Sequence, residues 1–253
     1  MAQEVTKPEV IRISTADDLA REAVDRIVAD AQRAIAERSR FLIVLAGGST
    51  PKRTYELLSS PQWADKIDWS KVYAFFGDER FVPPDDDRSN FGMARETLLS
   101  RVPIPESHVF PVPTDKATAD DAALAYGATL REFFEEDSYP PRFDLVLLGM
   151  GDDGHTASLF PGAGTLGIQD FWVVWSPPGT LPPPVDRITF TFSTLNAARH
   201  VLFLVSGEKK ATALADILQG DASSIKRPAA GVQPTDGTLT WLIDDAAAKE
   251  LND

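Results

Sequence analysis

The sequence contains no cysteine in 253 residues and has no long apolar run. Without thiols the chain forms no disulfide, no thiolate nucleophile and no cysteine-based metal site. No apolar segment approaches the roughly 20 residues that cross a bilayer. Residues 1–8 also have neither the basic nor the apolar part of a secretory signal. We therefore expect a cytoplasmic protein that does not bind membranes.

Basic residues and histidines are also scarce. The chain has 25 Lys and Arg against 38 Asp and Glu, and the resulting net charge of −13 repels nucleic acid. Its three histidines are far apart, and none has the H-x-x-H or H-E-x-x-H spacing of a zinc hydrolase. We expect no nucleic-acid partner, no metal and no cofactor. An anionic substrate would need a few Arg or Lys side chains gathered locally against this field.

Length and apolar pattern predict one α/β domain over residues 10–253, preceded by a tail of residues 1–9. Short apolar runs at 41–45, 72–76, 145–148 and 200–205 are typical of strands that are buried on both faces of a parallel sheet. Amphipathic stretches between them, such as residues 15–38 and 118–136, predict helices. The fold class is therefore an open, mainly parallel sheet with helices on both faces.

Glycines and hydroxyl side chains follow the strand at 41–45, in the segment Ala46-Gly-Gly-Ser-Thr-Pro51. Free backbone N–H groups, the positive end of the next helix dipole and two hydroxyls can converge here on one anion, most naturally a phosphate. The alternative is an ordinary strand-to-helix turn that Ser49 or Thr50 caps.

Charged residues follow two further strands. Arg80, in the segment Gly77-Asp-Glu-Arg80, could bind a phosphate with two parallel hydrogen bonds, or it could close a surface loop by an ion pair. Asn90 precedes a predicted helix over 91–100 and could contact a ligand or cap that helix. Lys209 and Lys210 follow the strand at 200–205, beside a helix N-terminus where cations are unfavourable unless an anion is also bound. Their alternative role is that of a solvated pair.

The segment Gly149-Met-Gly-Asp-Asp-Gly-His155 follows the strand at 145–148. It matches the dinucleotide motif G-x-G-x-x-G, but Asp152 and Asp153 would place negative charge where a pyrophosphate must lie. We therefore reject the dinucleotide interpretation. The segment offers carboxylates and one imidazole, and we expect a short helix to begin at His155. His108, in a proline-rich connection, is expected to be structural.

These four segments follow strands whose carboxyl ends can meet at one edge of a parallel sheet, which is where ligands bind. Unrelated structural roles would give no reason for such residues to cluster at equivalent strand ends. The combination predicts a phosphate cradle beside one acid–base pair.

The same segments identify a resemblance that spans nearly the whole chain. In order they are Ala46-Gly-Gly-Ser-Thr-Pro51, Gly77-Asp-Glu-Arg80, Ser89-Asn-Phe-Gly-Met-Ala-Arg95, Gly149-Met-Gly-Asp-Asp-Gly-His-Thr-Ala-Ser-Leu-Phe-Pro161, Leu195-Asn-Ala-Ala-Arg199 and Ser206-Gly-Glu-Lys-Lys-Ala211. Together they resemble the 6-phosphogluconolactonase family, which is related to the glucosamine-6-phosphate deaminases. The resemblance implies a Rossmann-like α/β fold and metal-free hydrolysis of 6-phospho-D-glucono-1,5-lactone in the oxidative pentose phosphate pathway.

The resemblance also implies roles for individual residues. It implies that His155 is the general base. Asp153, two residues earlier, is placed to orient the imidazole or to stabilise its charged form, and its alternative role is only to shape the turn. The phosphate would be held by the loop of Gly47, Gly48, Ser49 and Thr50 together with Arg80, Lys210 and Arg187, and Asp78 and Asn90 would complete the substrate site. Lys210, rather than Lys209, matches the Gly-x-x-Lys-Ala pattern of the family. The expected partner is a small phosphorylated sugar lactone, and the expected assembly is a monomer or a weak homodimer.

Two alternatives to the lactonase stay open. A deaminase-like isomerase would share the phosphate loop, but its motif has a glutamate five residues after the histidine, where this chain has Phe160, and a tyrosine in place of Arg80. A non-catalytic sugar-phosphate sensor would keep Arg80 and Lys210 and could dispense with His155.

Overall fold

The computed structural model describes residues 8–136, 138–180 and 183–252. Nine strands lie within these ranges: β1 Glu9–Ile13, β2 Phe41–Leu45, β3 Val72–Phe76, β4 Asp78–Arg80, β5 Leu145–Leu148, β6 Val173–Ser176, β7 Arg187–Phe190, β8 His200–Val205 and β9 Thr238–Asp244. Six form a parallel sheet in the order β1-β9-β8-β5-β2-β3. The other three form a small antiparallel sheet in the order β4-β7-β6. The expected α/β fold with a mainly parallel sheet is confirmed.

Seven α-helices lie in the same ranges: α1 Ala16–Arg38, α2 Ser49–Leu58, α3 Pro61–Ala64, α4 Asn90–Ala94, α5 Ala119–Phe134, α6 Phe192–Asn196 and α7 Ala211–Leu218. Helix α1 begins where the Thr15 hydroxyl accepts the Asp18 N–H, and it ends at Ser39, which has a φ of 60°. It packs against α2, β1, β2 and β9. No helix within the described ranges has both the length and the apolar character needed to span a bilayer.

The middle strands of the large sheet are buried over their whole length, which explains their unbroken apolar sequences. Every residue of β2, β5 and β8 is buried. The chain leaves β2 for β3 on one side of the sheet, whereas β5 lies on the other side of β2. The loops after β2 and β5 therefore lie at a point where the strand order reverses, the usual place for a ligand in an open α/β sheet.

Three expectations differ from the structure. No helix begins at His155; residues 149–163 form turns with one isolated bridge between Thr156 and Leu159. Gly154, Ala157 and Gly162 have φ values of 81°, 48° and 69°, and backbone of this kind cannot continue a right-handed helix. The sequence also predicts a last helix over 244–251, but Asp244 ends β9 and residues 245–250 form turns.

The third difference is the small sheet, because β4 was expected to be part of a loop.

In the N-terminal tail expected over residues 1–9, residues 1–7 lie outside the described ranges, and Glu9 already belongs to β1. Residues 181 and 182 of the proline-rich loop after β6 also lie outside those ranges.

Candidate active site

The carboxyl ends of β2, β3, β5 and β8 open onto one cavity of about 390 Å³. The expectation that the loops after these strands meet is therefore confirmed. Nine of the residues expected in the site line this cavity: Gly47, Gly48, Ser49, Thr50, Asp78, Arg80, Asn90, His155 and Lys210. Asp153 and Arg187 do not line it. His108 is remote from it: its ring stacks on Tyr73 at 3.9 Å.

The loop after β2 leaves the N-terminus of α2 uncapped. Gly48 occupies the cap position with a φ of 104°, which favours glycine, and no side chain caps the helix. Pro51 has no N–H, so the free donors of this first turn are the backbone groups just before it. They carry the positive end of the helix dipole and border the cavity, which is an arrangement suited to an anion.

Asn90 lies at the start of α4, and its side chain packs against the loop that follows β2. A Cβ on Gly47 would lie 1.9 Å from the Asn90 Oδ1 atom, so only glycine fits at position 47. The Asn90 amide donates to Asp78 Oδ1 at 3.1 Å, and the Ser158 hydroxyl donates to Asp78 Oδ2 at 2.7 Å. Asp78 therefore connects the start of α4 with the turns that follow His155.

Glu79, which the sequence did not single out, organises the wall that carries Arg80 and Asn90. Its buried carboxylate accepts the backbone N–H groups of Arg80, Asn90 and Phe91, each at 2.7 Å, and the Ser89 hydroxyl at 3.0 Å. Burial raises the pKa of Glu79, and the backbone hydrogen bonds oppose that rise. The available signal was an acidic residue at a strand end followed by a Ser-Asn helix start.

Two arginines lie side by side on β4 and β7, and one of them, Arg80, lines the cavity. Arg80 and Arg187 are direct partners in the register of β4 and β7. Arg80 donates to the carbonyl of Arg88 at 2.7 Å, and Arg187 donates to the carbonyl of Pro183 at 2.8 Å. Both Nε atoms are buried without a partner among the described residues. Burial lowers the pKa of Arg187, Asp78 raises it and the charge of Arg80 lowers it further.

His155 is paired with Asp153 at the entrance to the turns after β5. Its Nδ1 lies 2.6 Å from Asp153 Oδ1, and its backbone N–H donates to the same oxygen at 3.0 Å. Burial of the Asp153 carboxyl opposes its ionisation, but the hydrogen bonds from His155 outweigh burial and hold the pKa of Asp153 below its usual value. The bond occupies Nδ1 and leaves Nε2 for proton transfer. The Phe160 ring packs 5.0 Å from the imidazole.

The glycines of this segment allow the pair to form. A Cβ on Gly151 would lie 2.0 Å from His155 Nδ1 and 2.7 Å from Asp153 Oδ1. The Gly151 N–H donates to the His155 carbonyl at 2.8 Å, and the Gly154 N–H donates to the Gly151 carbonyl at 3.0 Å. The segment therefore folds back on itself, and the imidazole lies over the glycine.

Two side chains from other parts of the chain make hydrogen bonds to the same turns. Lys210 donates from Nζ to Asp152 Oδ1 at 2.5 Å, and both residues line the cavity. Arg227, which the sequence did not indicate, donates from Nη1 to the Asp153 carbonyl at 3.0 Å across 74 residues of sequence. No local sequence pattern marks Arg227, because Asp153 is distant from it in the sequence.

Among the described residues, no group of three or more His, Asp or Glu side chains converges in a way that could hold a metal ion.

Comparisons with known proteins agree with this geometry. Residues 14–241 match the family model described as glucosamine-6-phosphate isomerases/6-phosphogluconolactonase. The chain is 41% identical over 247 residues to a 6-phosphogluconolactonase of Nostoc sp., covering 96% of this chain and 98% of the relative. It is 42% identical over 220 residues to a 6-phosphogluconolactonase of Synechocystis sp., covering 87% and 88%.

A solved structure of 6-phosphogluconolactonase from Trypanosoma cruzi superposes with a TM-score of 0.88 at 31% identity, over 100% of both chains. The similarity thus includes the full length of the chain, with all four loops that line the cavity. The chain belongs to the glucosamine-6-phosphate isomerase/6-phosphogluconolactonase family.

Proposed function

We propose that this protein hydrolyses 6-phospho-D-glucono-1,5-lactone to 6-phospho-D-gluconate, with His155 as the general base. The observation that carries the proposal is the juxtaposition in one cavity of an acid–base pair and an anion cradle. All three relatives named above are called 6-phosphogluconolactonase, the name of the enzyme that catalyses this reaction. Hydrolysis of a lactone that carries a phosphate needs both the acid–base pair, which acts on the lactone, and the anion cradle, which binds the phosphate.

The phosphate binds at the start of α2. The uncapped N–H groups and hydroxyls of Ser49 and Thr50 donate to its oxygens, and Arg80 and Lys210 supply charge from the facing walls. Arg187 lies beside Arg80 on the neighbouring strand and outside the cavity lining, so it adds positive charge without contacting the substrate. Two neighbouring guanidinium groups repel each other, and a dianion close to them relieves that repulsion.

The chemical step is a proton transfer coupled to water attack. Nε2 of His155 takes a proton from water as the water oxygen forms a bond to the lactone carbonyl carbon. When the tetrahedral intermediate collapses, the bond from that carbon to the ring oxygen breaks and the imidazolium returns the proton to the ring oxygen. The product is the open-chain acid, and no covalent enzyme intermediate forms.

Asp153 acts on the imidazole. Its carboxylate, held ionised by the hydrogen bonds from His155, fixes the proton of the neutral ring on Nδ1 and stabilises the ring when it becomes charged. General acid–base catalysis of this type is worth roughly 10²–10⁴-fold. A strained cyclic ester that hydrolyses readily in water requires no more than this together with correct positioning.

The proposal is tested by measuring acid release from freshly generated lactone for wild type, His155→Ala and His108→Ala. We expect His155→Ala to lose about 10²–10⁴-fold in kcat and to bind 6-phosphogluconate as wild type does. His108→Ala is the matched control, because His108 packs on Tyr73 away from the cavity, and its kcat should not change. Retained turnover in His155→Ala would remove His155 from its role.

Ammonia release from glucosamine 6-phosphate is measured in parallel. Phe160 packs on His155 where the deaminase motif has a glutamate, so we expect no ammonia. Ammonia release would assign the chain to the deaminases instead. A protein that binds 6-phosphogluconate but is inactive in both assays would be a sugar-phosphate sensor.

A further inference from the structure

The turns that carry Asp153 and His155 contain no helix and only one isolated bridge. Their internal hydrogen bonds join neighbours within the segment, so they do not fix it relative to the cavity. The orientation of the imidazole therefore depends on contacts with other parts of the chain. Ser158 makes such contacts with Asp78 and Thr189, and Lys210 makes one with Asp152. The contacts to Asp153 and Gly154 come from Arg227 and from the residues immediately after it.

Arg227 makes three hydrogen bonds that connect two elements. Nη1 donates to the Asp153 carbonyl at 3.0 Å, whereas Nε and Nη2 both donate to Asp216 Oδ2, at 3.0 and 2.8 Å. Its stem passes beneath Gly154, where a Cβ would lie 2.6 Å from the Arg227 Cδ atom. Two residues later the Ala229 N–H donates to the Gly154 carbonyl at 2.9 Å. The catalytic turns therefore rest on this segment.

Asp216 lies in α7, the helix that begins immediately after Lys210. Lys210 itself is paired with Asp152, the neighbour of Asp153. Two bridges thus join the same turns to the same helix, one through Lys210 and one through Arg227. The cation expected to bind phosphate and the acid–base pair consequently form one connected unit.

We propose that Arg227 is a positioning residue for lactone hydrolysis, which fixes the His155–Asp153 pair through the main chain of Asp153. The inference rests on the proposed function, because it assigns Arg227 to the base identified there. Arg227 contacts the carbonyl and not the carboxylate of Asp153, so it acts on where the pair lies. It does not line the cavity at the carboxyl ends of the strands, so we assign it no contact with the substrate.

Only an arginine can make both contacts. The guanidinium places donors on two sides of a rigid plane, and here one side faces Asp216 and the other faces the Asp153 carbonyl. A lysine has a single ammonium on a flexible stem and can reach one partner at a time. Arg227→Lys should therefore recover only part of the activity that Arg227→Ala loses.

The test measures kcat and KM for lactone hydrolysis in Arg227→Ala and Arg227→Lys. We expect kcat to fall about 10–100-fold in Arg227→Ala, because misplacement of a catalytic group by about 1 Å costs up to 10²-fold. KM should change little, since the phosphate cradle is untouched. Arg227→Lys should lie between wild type and Arg227→Ala.

Arg38→Ala is the matched control. The Arg38 side chain is 29% exposed and pairs with Asp144, as the 26% exposed Arg227 side chain pairs with Asp216, but its hydrogen bonds go to Asp144 and Glu37 and not to the turns that carry Asp153 and His155. Arg38→Ala should lower Tm and leave kcat unchanged. Equal losses of kcat in Arg38→Ala and Arg227→Ala would overturn the proposal, because general destabilisation would then explain both. A rise in KM with kcat intact would also overturn it.

Asp216→Asn keeps the test valid if Arg227→Ala does not fold. This change weakens one end of the bridge and retains the contact with Asp153, so we expect a smaller fall in kcat at unchanged KM. Unchanged kcat in every variant at these two positions, beside an inactive His155→Ala, would overturn the inference and leave the proposed function standing. Activity in His155→Ala would instead reject the function itself.

Discussion

Two glycines lie against the side chains that shape the cavity, and neither can be replaced without displacing them. Gly47 faces the amide of Asn90, and Gly151 faces the imidazole of His155. Neither has a positive φ, so each is required by close approach and not by backbone conformation. The sequence shows glycine at both positions, but it could not identify which side chain approaches.

We expect Gly151→Ala to abolish most of the hydrolysis while it preserves phosphate binding. The added methyl would lie 2.0 Å from His155 Nδ1, so the ring must leave its bond with Asp153. A displacement of that size costs on the order of 10²-fold in kcat. The comparison is with Gly167→Ala, where an added Cβ meets nothing within 4 Å. Full activity in Gly151→Ala would show that the pair is not needed in this geometry.

Among the elements, β4 has the closest connection to the site. Its three residues are charged, yet they form a strand because their carboxylates find partners outside the strand. Asp78 accepts a hydrogen bond from the hydroxyl of Ser158, 80 residues later in the sequence. Glu79 accepts hydrogen bonds from the backbone N–H groups at the start of α4. Glu79 therefore sets the position of the wall that presents Arg80 and Asn90 to the cavity.

We expect Glu79→Gln to destabilise the fold and to weaken substrate binding. Glutamine has one acceptor oxygen, and its NH₂ group would face a backbone N–H that now lacks an acceptor. An unsatisfied buried group of this kind costs about 1–3 kcal/mol. Urea unfolding should show that loss, and KM should rise because Arg80 and Asn90 move. The exposed Glu132→Gln is the control, and equal stability of the two variants would contradict this role for Glu79.

Some of these elements could be predicted from the sequence and others could not. Strands β2, β5 and β8 were predictable because a strand buried on both faces has an unbroken apolar sequence. Strand β4 was not, since Asp-Glu-Arg has no apolar period and its partners are distant in sequence. The helix expected at His155 was wrong because several residues there have left-handed backbone. Arg227 was missed because its contact with Asp153 has no local signature.

At the scale of the whole molecule, the two ends of the parallel sheet have different tasks. The carboxyl ends of the strands carry the cavity. The opposite end carries buried polar clusters that join elements, among them the cluster of His200, Asp30 and Thr240. His200, the first residue of β8, lies with Nδ1 2.6 Å from Asp30 Oδ2 and with Nε2 3.1 Å from Thr240 Oγ1. It thus connects α1, β8 and β9.

We expect His200→Leu to lower stability and to leave catalysis unchanged. Removal of the imidazole leaves the Asp30 carboxylate, 6% exposed, without one of its partners, which costs about 1–3 kcal/mol in the free energy of unfolding. Because the imidazole lies at the end of the sheet away from the cavity, kcat and KM measured well below Tm should match wild type. Gly151→Ala should instead lower kcat and leave stability unchanged. A fall in kcat at unchanged stability in His200→Leu would show that the two ends are coupled.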